Sequence, residues 1–274
     1  MLYSETRIGR GRFFEGDCFD VMRDLPDGSV DMVVTSPPYD EMRTYNGSLT
    51  DWSPDKWNGI ITELARLLRP GGVVVWVVGD QTRNHSESGS SFRQALDFIS
   101  AGFNLFDTMI YEKAQACFGS KLAYLQSFEY MFVFSKGRPS AVNLIYDRPN
   151  VRGGKVESTV KTGPSAEGFN RVRHKKRSAE FGRRKNIWKY GVGGGDTDHP
   201  AVFPLALAQD HILSWSNPGN VVLDPFGGSG TTAIAAENAG RQWICIERDP
   251  DYAEKARERI REHVGDADDF DAFL

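Results

Sequence analysis

The stretch V-V-L-D-P-F-G-G-S-G-T-T at residues 221–232 decides the fold class, because it joins an apolar strand to a glycine turn and then to a helix. The helical segment continues as A-I-A-A-E-N-A at 233–239. A strand, a glycine turn and a helix N-terminus form the nucleotide-cofactor cradle of doubly wound α/β proteins. Glycines at 227, 228 and 230 let the backbone approach a ligand closely, and the N–H groups of the helix start can bind a carboxylate.

A second strand follows this helix and ends in an acid, because W-I-C-I at 243–246 precedes Glu247. An acid at this place can accept hydrogen bonds from both hydroxyls of a ribose, and it repels a phosphorylated ribose. Similar glycine turns also occur where a helix simply packs closely on a strand. Asp224 before the turn and Glu247 after it favour a nucleoside cofactor. The sequence has no G-x-x-x-x-G-K-[ST] string, which argues against a nucleotide triphosphatase.

The other informative segment is T-S-P-P-Y at 35–39, which follows the apolar run V-D-M-V-V at 30–34. Two prolines fix φ and lack N–H donors, so carbonyl acceptors point out of the strand end. Accepting both hydrogens of a nucleobase amine localises its lone pair and makes it a better nucleophile. Ser36 and the Pro37 carbonyl suit this role, and Tyr39 would lie over a base removed from its stack. Taken alone, the segment is equally typical of a plain connection stiffened by prolines.

The two segments together resemble the amino-group DNA methyltransferases that use S-adenosylmethionine, in the permuted β arrangement, where the catalytic loop precedes the cofactor loop. The resemblance covers most of the chain. It extends to G-D-C at 16–18, L-L-R-P-G-G at 67–72, E-Y-M-F-V-F-S-K at 129–136, N-I-W at 186–188 and H-P-A-V-F-P at 199–204.

The fold expected for the chain is α/β: a doubly wound, mostly parallel sheet of the Rossmann-like methyltransferase type, circularly permuted, with an inserted target-recognition region. Residues 1–136 are expected to form the catalytic half of the core, 137–190 the insertion and 191–274 the cofactor half. We predict strands near 11–15, 30–35, 73–78, 108–112, 129–135, 220–223 and 242–246, and helices near 54–68, 91–101, 202–214, 231–239 and 250–263.

The same resemblance implies the roles of the site residues. The catalytic group comprises Ser36, Pro37, Pro38 and Tyr39. The cofactor group comprises Asp17, Cys18, Asp224, Pro225, Phe226, Gly228, Ser229, Gly230, Thr231 and Glu247. Asp17 is expected at the adenine ring, Glu247 at the ribose, and Asp224 with the 226–231 loop at the methionine moiety. The amine would attack the methyl group in line, without a covalent enzyme intermediate.

The target base is indicated by the residue before the two prolines. Family members with S-P-P-Y are usually cytosine-N4 methylases and those with D-P-P-Y are usually adenine-N6 methylases, so Ser36 favours cytosine. Three alternatives stay open. They are an adenine-N6 DNA methylase, a methylase acting on RNA or on a protein glutamine, and a DNA-binding module without activity.

The net charge of −4 conceals a strongly basic segment between Asp147 and Lys185. Because it is rich in glycine and serine, we expect an irregular surface insertion whose partner is DNA phosphate, although a solvated charge run would look similar. The predicted DNA-binding residues are Arg171, Arg173, Lys175, Lys176, Arg177, Arg183, Arg184 and Lys185. The acidic segment 266–271 is expected to stay mobile and to repel nucleic acid.

Composition fits a one-core enzyme, because 274 residues with 40% hydrophobic content can bury one sizeable core. No apolar run reaches the length of a membrane span and the N-terminus lacks a signal core, so we expect a cytoplasmic protein. Three scattered cysteines and five histidines without ligand spacing predict no metal site. The expected partners are double-stranded DNA, a cognate restriction endonuclease and a second copy of the chain.

Overall fold

The computed structural model describes residues 2–38, 52–114, 124–165, 168–191 and 204–271, with side chains outside the description at 157–176 and 266–271. The elements in chain order are β1 (Ser4–Ile8), β2 (Gly11–Glu15), α1 (Cys18–Asp24), β3 (Val30–Thr35), α2 (Pro54–Leu67), β4 (Leu68–Val78), β5 (Thr82–Arg83), β6 (Ser86–Glu87), α3 (Ser90–Ser100), β7 (Asn104–Lys113), β8 (Phe128–Ser135), β9 (Arg148–Pro149), β10 (Val156–Ser165), β11 (Gly168–Arg177), β12 (Phe181–Gly182), β13 (Ile187–Tyr190), α4 (Leu205–Trp215), β14 (Val221–Asp224), α5 (Thr231–Asn238), β15 (Gln242–Glu247) and α6 (Pro250–Asp271).

Within these described residues, nine strands form one sheet in the order β1-β2-β15-β14-β3-β4-β8-β7-β13. Every neighbouring pair from β2 to β4 is parallel. Strand β8 runs antiparallel to both β4 and β7, and β1 runs antiparallel to β2. The chain therefore has a mostly parallel α/β sheet with helices packed on it, as the sequence predicts.

The helices pack on the sheet in two groups, α1 with α2 and α3, and α4 with α5 and α6. The sequence of helix α2 explains where it begins and which of its faces is buried. The Ser53 hydroxyl accepts a hydrogen bond from the Lys56 N–H at 3.3 Å, and Pro54 occupies the first helical turn. Its apolar positions, among them Ile60 and Leu64, are fully buried in the core. The Lys136 ammonium ends the helix by donating to the Ala65 and Leu68 carbonyls at 2.7 and 2.8 Å.

The predicted strands and helices of the core are found within a few residues of their predicted bounds, apart from α6. Helix α6 continues to Asp271, past its predicted end at 263, so the expectation that the acidic segment 266–271 is a mobile tail is wrong. Helix propagation adds one hydrogen bond for each residue fixed, and this segment contains no proline that would stop it. The prediction of helix at 202–203 lies outside the described residues.

The chain divides into two compact units, one comprising Met1–Asn143 with Asn186–Leu274 and the other Leu144–Lys185. The second unit is not irregular as predicted, because β10 and β11 pair as an antiparallel ribbon over ten residues. Strands β9 and β12 form a further short pair. Frequent charges and glycines hide this ribbon in the sequence, since they interrupt the alternation of apolar residues that usually indicates a strand. In the described part of the chain, no helix is long and apolar enough to cross a membrane.

Candidate active site

The T-S-P-P-Y segment and the glycine loop at 225–230 start from neighbouring strands. Strands β3 and β14 pair in parallel, with Met32 opposite Val222 and Val33 opposite Leu223. Their carboxyl ends therefore meet at the same edge of the sheet, which is where α/β proteins bind ligands. The Thr232 hydroxyl, in the first turn of α5, donates to the Val34 carbonyl at 3.3 Å and ties the two segments together.

A buried hydrogen bond links the last residues of these strands. The Thr35 hydroxyl donates to Asp224 Oδ1 at 2.6 Å, and the Phe226 N–H donates to the same oxygen at 3.0 Å. Asp224 is only 2% exposed, and burial raises the pKa of its carboxyl group, while the hydrogen bonds from Thr35 and Thr232 act in the opposite direction. Asp224 therefore connects the T-S-P-P-Y segment to the glycine loop by accepting a hydrogen bond from each. A contact with the methionine moiety stays a prediction for this residue.

The predicted catalytic group lies immediately after this hydrogen bond. Ser36 is half-buried, and Pro37 and Pro38 are buried at the carboxyl end of β3. Tyr39 lies outside the described residues. The structure therefore brings three of the four predicted residues to the edge shared with the glycine loop.

Two of the glycines are required by packing. A Cβ at Gly227 would lie 2.2 Å from the Cys245 sulfur, and the Gly227 N–H donates to the Ile246 carbonyl at 2.7 Å. A Cβ at Gly230 would lie 2.8 Å from Ile260 Cδ1. Gly228 and Gly230 also have left-handed backbones, with φ of 50° and 77°. The turn is thus pressed against β15 and α6, and the N–H groups of its glycines donate to protein acceptors, including Ile246 and Glu247.

Glu247 holds the glycine loop through its side chain. One carboxylate oxygen accepts the Gly228 N–H at 2.8 Å, and the other accepts the Asp249 N–H at 2.8 Å. Burial raises the pKa of Glu247 to about 6, and the backbone donors oppose this shift. Glu247 remains half-buried at the edge of the glycine loop.

Asp17 lies next to Glu247, because the Gly16 N–H donates to the Glu247 carbonyl at 2.9 Å. Its carboxylate caps α1 by accepting the Phe19 N–H at 2.9 Å, and it also accepts from the Lys56 ammonium at 2.9 Å. The sequence gives no signal for Lys56, which comes from a different helix. Cys18 is buried in the first turn of α1, and burial raises the pKa of its thiol well above the usual range.

The side chains around the start of α5 are anchored by α6. Arg259 donates to the Ser229 carbonyl at 2.8 Å and to the Thr231 hydroxyl at 3.2 Å. Ser229 and Thr231 are both buried, so their hydroxyls mainly fix the loop.

An aromatic wall lines the same loop and was not predicted. The half-buried Phe226 ring lies edge-on to Trp52 and Trp76, with ring centroids 5.6 and 6.1 Å away. Pro225, which precedes this ring, is buried.

The predicted DNA-binding residues fall into different environments within the second unit. The ribbon register places Arg171, Arg173, Lys175 and Arg177 opposite Thr162, Val160, Ser158 and Val156. Since residues alternate between faces along a strand, these four basic residues share one face, and Lys176 lies on the other with Lys161 and His174. Arg183 and Lys185 are exposed. Arg184 is half-buried and pairs with Asp147, whose pKa it lowers.

Comparison with known proteins gives matches along most of the chain. The N6_N4_Mtase family model, described as DNA methylase, matches residues 30–258. The chain is 46% identical over 249 residues to the orphan methyltransferase M.BamHII of Bacillus amyloliquefaciens, covering 88% of this chain and 92% of that protein.

Solved structures match over similar lengths. TTHA0409 from Thermus thermophilus, complexed with S-adenosyl-L-methionine, is 27% identical with a TM-score of 0.61, covering 91% of this chain and 94% of that chain. The cytosine-N4-specific PvuII DNA methyltransferase has a TM-score of 0.68 at 19% identity, covering 95% of each chain, and at this identity it shows the common fold alone.

Proposed function

Because the chain belongs to the DNA methylase family of amino-group methyltransferases, we propose that it methylates the N4 amine of a cytosine everted from duplex DNA, with S-adenosylmethionine as the donor. The observation that carries this proposal is the Thr35–Asp224 hydrogen bond. It joins the strand end that bears Ser36 to the strand end that bears the glycine loop. An amine held at one loop and a methyl donor held at the other would therefore meet at one edge of the sheet.

The residues of the glycine-loop side fit S-adenosylmethionine, which supplies a methyl group already activated by a sulfonium. The half-buried Glu247 carboxylate would accept hydrogen bonds from the ribose hydroxyls, and Asp17 lies beside it for the adenine edge. The N–H groups of Ser229 and Thr231 at the start of α5 suit the carboxylate of the methionine moiety, whereas those of Gly228 and Gly230 already donate to Glu247 and to the Gly227 carbonyl. The buried Asp224, Pro225, Ser229 and Thr231 hold this loop in shape, and the Phe226 ring closes its side.

The residues of the target side act on the amine. The Ser36 hydroxyl and the Pro37 carbonyl accept its two hydrogens, so that its lone pair points at the methyl group. The buried Pro38 keeps the loop stiff, and Tyr39 stacks on the everted base. Most of the rate arises from this orientation, and preplaced acceptors add electrostatic stabilisation.

Cytosine is the preferred target because Ser36 stands before the two prolines, and adenine N6 is the second candidate. Incubation of the purified chain with unmethylated plasmid and labelled S-adenosylmethionine, followed by mass analysis of nucleosides, distinguishes them. N4-methylcytosine is expected. N6-methyladenine would support the second candidate, and DNA that binds the protein but gains no label would indicate an inactive binding module. Label transferred only to RNA or to a protein glutamine would also contradict the proposal.

The catalytic assignment has its own variants. Ser36→Ala and Tyr39→Ala should each lower single-turnover methylation by about 100-fold, the loss typical of one removed transition-state contact. Affinity for S-adenosylmethionine should not change. Ser100→Ala is the matched control, since its exposed hydroxyl bonds to its own helix. Unchanged turnover in both active-site variants would refute the assignment.

We also propose that DNA phosphates bind the face of the ribbon that carries Arg171, Arg173, Lys175 and Arg177, together with the exposed Arg183 and Lys185. In this proposal 137–190 is the target-recognition insertion, whose compact part is Leu144–Lys185. Residues 1–136 and 191–274 are then the catalytic and cofactor halves of a permuted core. Arg184 contributes by positioning, because Asp147 occupies its guanidinium.

Two protein partners complete the proposal. Association with a second copy is supported by the exposed apolar residues Phe92, Leu96 and Ile99, which recur at helical spacing along α3. Light scattering should give a dimer that Leu96→Lys dissociates, and a monomeric wild type would contradict it. A cognate restriction endonuclease is tested by cleavage of unmethylated DNA with the product of the neighbouring gene.

A further inference from the structure

A small hairpin protrudes from the carboxyl end of β4. Strands β5 (Thr82–Arg83) and β6 (Ser86–Glu87) pair antiparallel, and Asn84 and His85 form the two-residue turn between them. All six residues from 82 to 87 are exposed.

The turn has a strained backbone. Asn84 and His85 have φ of 51° and 64°, and they are the two residues other than glycine with positive φ in the described part of the chain. Two-residue hairpins that need positive φ at both positions usually carry Asn-Gly, because a Cβ is unfavourable in the left-handed region. Glycine would therefore suit position 85 better than histidine. An exposed imidazole at a position whose backbone favours glycine points to a use for this side chain.

The base of the hairpin is rigid. The Asp80 carboxylate, only 4% exposed, accepts from the Ser88 and Ser90 hydroxyls at 3.1 and 3.2 Å. It also accepts from the Ser91 N–H at 2.9 Å and the Ser91 hydroxyl at 2.5 Å. The Ser88 N–H donates to the Gln81 carbonyl at 2.8 Å and closes the base. The tip is thus held in place before any ligand arrives.

The hairpin emerges beside the target loop. Strand β4 is the neighbour of β3 on the side away from β14, and Thr35 pairs with Trp76, two residues before the end of β4. The order along the sheet edge is therefore glycine loop, Ser36 loop, hairpin. A base held at Ser36 would lie between the methyl donor and the hairpin, and the duplex that it left would lie on the outer side.

We propose that Asn84 and His85 contact the DNA duplex next to the everted base and hold it open, an inference that rests on the proposed function. The asparagine amide and the imidazole offer donors and acceptors for the base edges that eversion exposes, and a histidine ring can stack on a base. Arg83, the residue before the tip, adds a positive charge for the phosphates. This assigns the hairpin to positioning of DNA, with no part in the chemical step.

The test uses His85→Gly and the double variant Asn84→Gly with His85→Gly, compared with Arg138→Gly in an exposed turn at the opposite edge of the sheet. The DNA is a duplex that carries the methylation site, found by sequencing DNA methylated by the wild type, with a fluorescent analogue at the target base. Both hairpin variants should bind this duplex about 10-fold more weakly, the loss expected for a missing base contact, and show a reduced eversion signal. Affinity for S-adenosylmethionine should stay unchanged. Thermal stability should be equal or higher, because glycine relieves the strain.

A purely structural hairpin differs in the DNA measurements: the variants would show unchanged DNA affinity and an unchanged eversion signal, with equal or higher stability. That result would overturn the inference, even if wild-type methylation is normal. If the wild type itself transfers no methyl group to DNA, the proposed function fails instead. Failure of this inference can therefore be distinguished from failure of the proposed function. The control variant Arg138→Gly should match the wild type in every measurement.

Discussion

Thr35 and Asp224 share a hydrogen bond of 2.6 Å although they stand 189 positions apart in the sequence. Both residues are buried at the ends of adjacent strands. Because Asp224 Oδ1 also accepts the Phe226 N–H, the position of the glycine loop depends on the end of β3. The target side and the cofactor side of the site are therefore coupled through a single carboxylate.

Thr35→Val should destabilise the protein, because it removes a donor from a buried carboxyl group. An unmet buried polar group costs about 1–3 kcal/mol, and this loss should appear in the free energy of unfolding by denaturant. Thr35→Ser keeps the hydroxyl and is the matched control. Equal stability of the valine and serine variants would show that the hydrogen bond contributes little.

Glu247 should make stability depend on pH in a defined window. Its pKa is raised from 4.5 to about 6, so the folded state holds the proton more tightly than the unfolded state. This contribution is fully present below pH 4.5 and is lost as the pH rises through about 6, by at most ~2 kcal/mol because the group is only half-buried. The difference in unfolding free energy between wild type and Glu247→Gln, measured from pH 4 to 8, should therefore fall across this window. A difference that grows with pH would mean that the pKa is lowered.

The two faces of the ribbon should differ in their salt dependence. Arg171→Ala with Arg173→Ala removes two charges from the proposed DNA face, and Lys161→Ala with Lys176→Ala removes two from the other face. The first pair should reduce the slope of log affinity for DNA against log salt by about 2, since each phosphate contact contributes roughly 0.9. The second pair should leave the slope unchanged. Equal slopes for the two double variants would contradict the assignment of the faces.

Gly227→Ala should be destabilising for a local reason. The added Cβ would lie 2.2 Å from the Cys245 sulfur, and such overpacking costs about 1–3 kcal/mol. Cys245→Ala removes that sulfur, so the double variant should be more stable than the sum of the single effects predicts. Thermal unfolding of the four proteins measures this coupling. If the two effects on stability simply add, the steric clash of the new Cβ must be with a group other than the Cys245 sulfur.

The core of the site could be predicted because its signals are local. An apolar strand that ends in Ser36, or in Asp224 and a glycine turn, is visible in a dozen residues. Parallel strands expose their carboxyl ends at one edge, so adjacency of the two strands was enough to bring these segments together.

The side-chain pairs that hold the site could not be predicted in the same way. Lys56 contacts Asp17 and Arg259 contacts Ser229 across 39 and 30 positions of sequence, and no spacing rule connects such residues. The ribbon was missed for a different reason. Along these two strands charged residues are frequent and apolar residues do not alternate regularly, so the usual sequence signal of a strand is absent.

The pairing of β3 with β14 also affects how the chain folds during its synthesis. Strand β3 has to wait, with one edge unpaired, until β14 has left the ribosome some 190 residues later. Such a delay raises the barrier to folding and exposes an aggregation-prone edge to chaperones during translation. A chain that stops before β14 therefore lacks the strand that carries the glycine loop, and its β3 edge has no partner on that side.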